Sequence, residues 1–284
     1  MVMEAEQSQF SVKSIFHPTD FSESSLVAFG HALKLAMSAG ADLKILNVAG
    51  SRAEAQMNEF PQVRATLARW EKRSQGNRQQ AQGANNLRIE KVRLLAGNPT
   101  ESILQYLAQK PTDLIVLATS QREGPARWLR GSVAEPVARR SRVMTLFVPM
   151  ESDGFVSFED GQAQLRHILI PVDHRPNPQF AVDAASALAS ACGAENVSFR
   201  LLHIGDEASV PNLQRTERPG WSWDTILGHG DVVDEILNLS SERSADLIVM
   251  ATEGHQGYLD ALRGSTTERV LRGASCPLLA VPAA

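Results

Sequence analysis

Cysteine is nearly absent. The 284 residues hold two, Cys192 and Cys276, far apart in sequence and in no C-x-x-C or knuckle spacing, which excludes a disulfide framework and a zinc ribbon. Long apolar runs are missing too. No stretch approaches the roughly 18 residues of a membrane span, and the opening MVMEAEQSQFSVK lacks the apolar core of a secretory signal. These absences point to a reducing, cytoplasmic setting with no membrane partner. Excess positive charge is also lacking: 28 Lys and Arg against 32 Asp and Glu leave a formal charge of −4, so nothing in bulk attracts nucleic acid. Composition is otherwise ordinary, 43% hydrophobic and 21% charged, which disfavours disorder and coiled coil as the main architecture. At roughly 100–200 residues per domain the length suggests two.

A fixed offset between similar segments shows what those two are. PTDLIVLATS (111–120) matches SADLIVMATE (244–253) at an offset of 133, and RWLRGSVAEPVAR matches DALRGSTTERVLR at the same offset. TLFVP and LLAVP close the two copies, and Gly97 with Gly230 keeps the register. Upstream, IFHPTDF (15–21) matches ILIPVDH (168–174) at an offset of 153, and the strand ends KILNV and RLLHI stand 156 apart. The second copy is therefore 23 residues shorter, and the deficit falls between its second strand and Gly230. Residues 1–150 form the first copy, 166–284 the second, and the polar, acidic segment 151–165 has the composition of a linker.

Within one copy, short apolar runs alternate with helical patterns. VKSIFHP, LKILNVA, LRIEKVRLL, DLIVLA and TLFVP read as strands. Between them lie a helix ending at Gly40, a polar helical stretch over 53–83 with Trp70, a helix opened by Gly97-Asn98-Pro99, and a last helix in GSVAEPVARR. This alternation implies right-handed crossovers and a five-stranded parallel sheet covered by helices on both faces. The fold class is α/β, two doubly wound domains. In the second copy Pro211, Pro219 and Gly220 interrupt the crossover that is helical in the first, which predicts an ordered loop. Trp221 and Trp223, two apart, share one strand face and are expected to pack in the core.

Ligands of such sheets bind beyond the carboxyl ends of the strands. There the second copy presents Asp173, His203-Ile204 and Thr252-Glu253 followed by GHQGYLDALRGSTTER. Gly254 and Gly257 permit close backbone approach to an anion, and Gly264-Ser265 leads into a helix N-terminus with its partial positive charge. These are the requirements of a phosphate cradle. On these residues the chain resembles a tandem universal stress protein. Nucleotide-binding members of that family carry G-x-x-G, a spacer and G-[ST] after the fourth strand, and an Asp after the first. The resemblance implies ATP or ADP, with or without magnesium, on Val172, Asp173, Ile204, Thr252, Gly254, Gly257, Gly264, Ser265 and Thr266, the glycine segment on the phosphates and Asp173 and Ile204 toward ribose and adenine. It extends in part to Asp20, Val48, Gly124, Gly131 and Ser132 of the first copy, where Gln121 replaces the first glycine. It also implies pairing of the two copies through their fifth strands, with a homodimer as a further level of assembly.

Each feature has a plainer reading. Ser132 with Glu135, and Ser265 with Glu268, fit capping boxes that need no ligand. Asp20 and Asp173 equally suit a cap or turn. His174, His203, His229 and His255 all fall at strand ends of the second copy, where they could ligate zinc or another divalent ion, or simply gather because loops do. No catalytic residue is assigned: no Walker motif and no SGG-x-DS loop occurs, so at most slow ATP hydrolysis is expected. The leading expectation is a stress-response protein regulated by nucleotide; the alternative is a protein-interaction scaffold that binds none.

Overall fold

A computed structural model describes residues 12–49, 60–73, 87–95, 97–119, 133–150, 152–253 and 266–283. In the first half β1 (Ser14–Pro18), β2 (Asp42–Ala49), β3 (Ile89–Leu95), β4 (Leu114–Thr119) and β5 (Met144–Pro149) alternate with α1 (Glu23–Ala39), α2 (Val63–Arg73), α3 (Pro99–Gln109) and α4 (Ala134–Ser141). In the second, β6 (His167–Pro171), β7 (Val197–Ile204), β8 (Trp221–Gly228), β9 (Leu247–Glu253) and β10 (Leu278–Ala283) alternate with α5 (Gln179–Ala191), α6 (Val232–Glu242) and α7 (Thr266–Gly273). A single turn of 3₁₀-helix, Glu207–Ser209, lies in the short crossover between β7 and β8, otherwise an ordered loop.

All ten strands join one sheet in the order β3-β2-β1-β4-β5-β10-β9-β6-β7-β8. Every pairing is parallel except the central one, where β5 meets β10 antiparallel with Leu146 opposite Leu279 and Thr145 opposite Ala280. The two fifth strands thus pair inside one chain. In each half the strand order, not the strand direction, reverses between the first and fourth strands, which opens the crevice in which doubly wound proteins take ligands.

The inner strands are continuous apolar runs because both faces are covered. Alternate residues divide between the layers: Leu114 and Val116 of β4 face α1, α2 and α5, while Ile115 and Leu117 face α3, α4, α6 and α7. The same latch starts both halves. Asp113 Oδ2 accepts the N–H groups of Lys13 and Ser14 at 2.8 and 2.9 Å, and Asp246, its counterpart, accepts those of Arg166 and His167 at 2.7 and 2.8 Å. Helix ends follow local chemistry: Ser22 caps α1 by accepting from Ser25 N–H, and Gly40 ends it at φ 64°. Asn98 caps α3, with Pro99 in the first turn.

The connector has the composition of a flexible linker, yet residues 152–165 form a packed strap. Phe155, Val156 and Leu165 are buried, and Val156 bridges Ala163. Trp70 Nε1 and Arg69 both donate to the carbonyl of Phe158, at 3.0 and 2.8 Å. His31 on α1 accepts the backbone N–H groups of Phe155 and Val156 at Nε2, 3.1 and 3.2 Å, and donates from Nδ1 to the Val27 carbonyl at 2.9 Å. Trp221 and Trp223 share a face as their spacing predicts, and both pack on Phe199.

Candidate functional site

A cavity of about 450 Å³ opens at the carboxyl ends of β6, β7 and β9, within the range of small-molecule sites. Its floor is apolar: Leu202, Ile236, Met250 and Ala280. Five residues expected to hold a nucleotide, Val172, Asp173, Ile204, Thr252 and Thr266, all lie on its wall. Thr266 begins α7, so the positive end of that helix faces the cavity rim. Gly254, Gly257, Gly264 and Ser265, and with them the phosphate cradle and the Ser265 capping box, lie outside the described residues, as do Gly124, Gly131, Ser132 and His255.

Backbone order sets these side chains. Val172 N–H donates to the Leu202 carbonyl at 2.8 Å, which continues the β6–β7 ladder past Pro171 and places Asp173 at the rim. Asp173 is exposed, and its Oδ1 accepts only the adjoining His174 N–H among the described hydrogen bonds, at 2.7 Å. Asp20, the equivalent in the first half, is engaged differently: its Oδ1 accepts from both Ser22 N–H and Ser22 Oγ, at 3.0 and 2.6 Å, in a turn that leads into α1. Val48 packs against the layer that holds α3 and α4. The two copies have thus put one aspartate to two uses.

The three described histidines of the expected set, His174, His203 and His229, form no metal-ligating group. His203 is buried, its Nδ1 3.1 Å from the Val172 carbonyl and its Nε2 2.8 Å from Ser209 Oγ. Both ring nitrogens brace the strand end and the 3₁₀ turn. His174 and His229 stand exposed outside the cavity wall. No group of three or more His, Cys, Asp or Glu suited to a metal ion occurs among the described residues. Cys192 and Cys276 are free, and burial pushes both thiols up to about 12.

Sequence reasoning missed part of the wall. Glu135, Ala138 and Arg139 of α4, and Thr145 and Phe147 of β5, belong to the first half yet line the cavity of the second. The signal that could have found them is fifth-strand pairing: an antiparallel junction sets the start of β5 beside the end of β10.

Fold and cavity together define a class: a duplicated, internally paired, doubly wound α/β protein with a cleft at a strand-order switch. A model of the Universal stress protein family matches residues 11–149 and 206–282, and the chain belongs to that family. Universal stress protein A homolog 1 of Coxiella burnetii is 31% identical over 141 residues, 41% of this chain and 95% of the relative. The crystal structure of a universal stress protein from Archaeoglobus fulgidus superposes with a TM-score of 0.61 at 19% identity, over 95% of this chain and 98% of that one. The functionally unknown protein PA1789 from Pseudomonas aeruginosa gives 0.58 at 12% identity, over 97% and 94%. At such identities the two structures speak for the fold alone, across nearly the whole chain. No described helix is long and apolar enough to cross a membrane.

Proposed function

We propose that this chain is a nucleotide-responsive stress protein that binds ATP or ADP in its second half and acts through its conformation and associations. The observation that carries the reading is the cavity at the ends of β6, β7 and β9, whose wall includes all five described residues of the set expected in the second half. Val172, Ile204 and the apolar floor accept a purine; the exposed Asp173 carboxylate accepts ribose hydroxyl protons. The start of α7 takes the phosphates, together with Gly254, Gly257, Gly264 and Ser265 of the sequence motif. In the first half the Asp20 carboxylate already serves a turn, so the second half is the principal site.

Titration calorimetry with ATP and ADP, with and without magnesium, tests this. Binding of ATP, weakened about tenfold in Asp173→Asn through loss of a charge-assisted hydrogen bond, is the expected outcome. Absence of heat at millimolar ATP under both conditions rejects the reading and favours the scaffold alternative.

A further inference from the structure

Helix α4 belongs to the first half in sequence, but it ends where β5 begins, and the antiparallel junction lays the start of β5 beside the end of β10. The last turns of α4 therefore reach the edge at which the second half opens. Glu135, Ala138 and Arg139, at i, i+3 and i+4, share one helix face, and all three line the second half's cavity.

Arg139 is the cation that the first half brings to that wall, where Arg175 belongs to the second. Its side chain is 21% exposed, and its guanidinium stands 3.8 Å from Glu135, beyond hydrogen-bond reach. Its Nε is buried and has no hydrogen-bond partner among the described residues. The duplicate makes the arrangement informative. Arg272, 133 positions on, holds its own glutamate, Glu268, in a close hydrogen-bonded contact and is absent from the cavity wall. Of two equivalent Glu-Arg pairs, the closed one lies in the half that carries the site, and the open one reaches that site from outside. A guanidinium 3.8 Å from its carboxylate, with Nε unpartnered among the described residues, matches the oxygens of a phosphate.

We propose that Arg139 of the first half donates to the phosphate chain of a nucleotide bound in the second half, so that the site belongs to both halves jointly. This rests on the nucleotide reading of the cavity. Bound ligand then spans β6, β7 and β9 on one side and α4 on the other, and its occupancy is felt by the first half.

The test is titration of the full chain, Arg139→Gln and Arg140→Gln with ATP and with adenosine. Arg140 lies next in sequence, pairs with Glu101 and is off the wall, so it controls for loss of positive charge. For Arg139→Gln the expected result is about tenfold or more weaker ATP binding, the scale of one charge-assisted contact, with adenosine unaffected; Arg140→Gln leaves both unchanged. Equal ATP affinity in Arg139→Gln, or equal loss for ATP and adenosine, overturns the cross-half contact and leaves the nucleotide reading standing. Absence of ATP binding by the unaltered chain overturns both. If Arg139→Gln does not fold, Arg139→Lys, which keeps the charge and loses the fork, is read in the same way against the same two ligands.

Discussion

At the scale of the residue, His31 shows how a polar group comes to be tolerated in a core. Its imidazole is fully buried, and burial pushes its pKa from 6.5 to about 4, the bond from Nδ1 to the Val27 carbonyl opposing only part of this. Neutrality is required by its role, because Nε2 accepts two backbone N–H groups and has no room for a proton. His17, equally buried, is also lowered to about 4, by burial first. Between pH 6.5 and 4 the unfolded chain takes up protons that the folded state refuses. Stability is therefore complete above 6.5 and falls as the pH drops through that window, by about 2 kcal/mol for each histidine at pH 5. His31→Leu leaves the Phe155 and Val156 N–H groups without an acceptor. It is expected to cost about 2–4 kcal/mol at pH 7.5 and to remove its own share of the acid loss. Urea unfolding of both proteins at pH 7.5 and 5 checks the two effects; an unchanged acid slope in the variant refutes the assignment to His31.

At the scale of the element, legibility followed the range of the contacts. The strands β4 and β9 could be read directly, since LIVLA and LIVMA are buried on both faces and need no partner to be recognised. The strap over 152–165 could not. Phe155, Val156 and Phe158 sit among acidic and polar residues with no period, and their partners His31, Trp70 and Gly30 lie far earlier in the chain. The site divides the same way: Val172, Asp173, Ile204 and Thr252 follow from strand ends and Thr266 from a helix start, while Arg139 enters only through the register of β5 on β10. The strap yields its own prediction. Gly154 adopts φ +67°, and a Cβ there meets the His31 ring, so Gly154→Ala is expected to destabilise by about 2 kcal/mol through backbone strain and overlap. In a His31→Ala background the overlap disappears and the cost of the same change shrinks to about 1 kcal/mol. A double-mutant cycle by denaturant unfolding measures the difference; equal costs in both backgrounds dismiss the contact.

At the scale of the whole molecule, the halves share one sheet, and residues of both occur in each of the two core layers. Scanning calorimetry is therefore expected to show a single unfolding transition. ATP at a hundredfold its dissociation constant is expected to stabilise it as a unit, by about 2.7 kcal/mol. Two transitions, with ATP moving one alone, would refute that coupling. The antiparallel junction has one more consequence. It brings the end of β5 to the sheet edge from which β6 starts, three strand steps away, a gap of about 14 Å at roughly 4.8 Å per step. About five extended residues cover that distance, whereas Met150 to Arg166 supplies seventeen, and the surplus forms the strap. A partnership that two separate chains would keep only while they are abundant is here tethered and fastened down. Its effective concentration is set by the connector, so dilution, the simplest way to part a dimer, has no hold on this one.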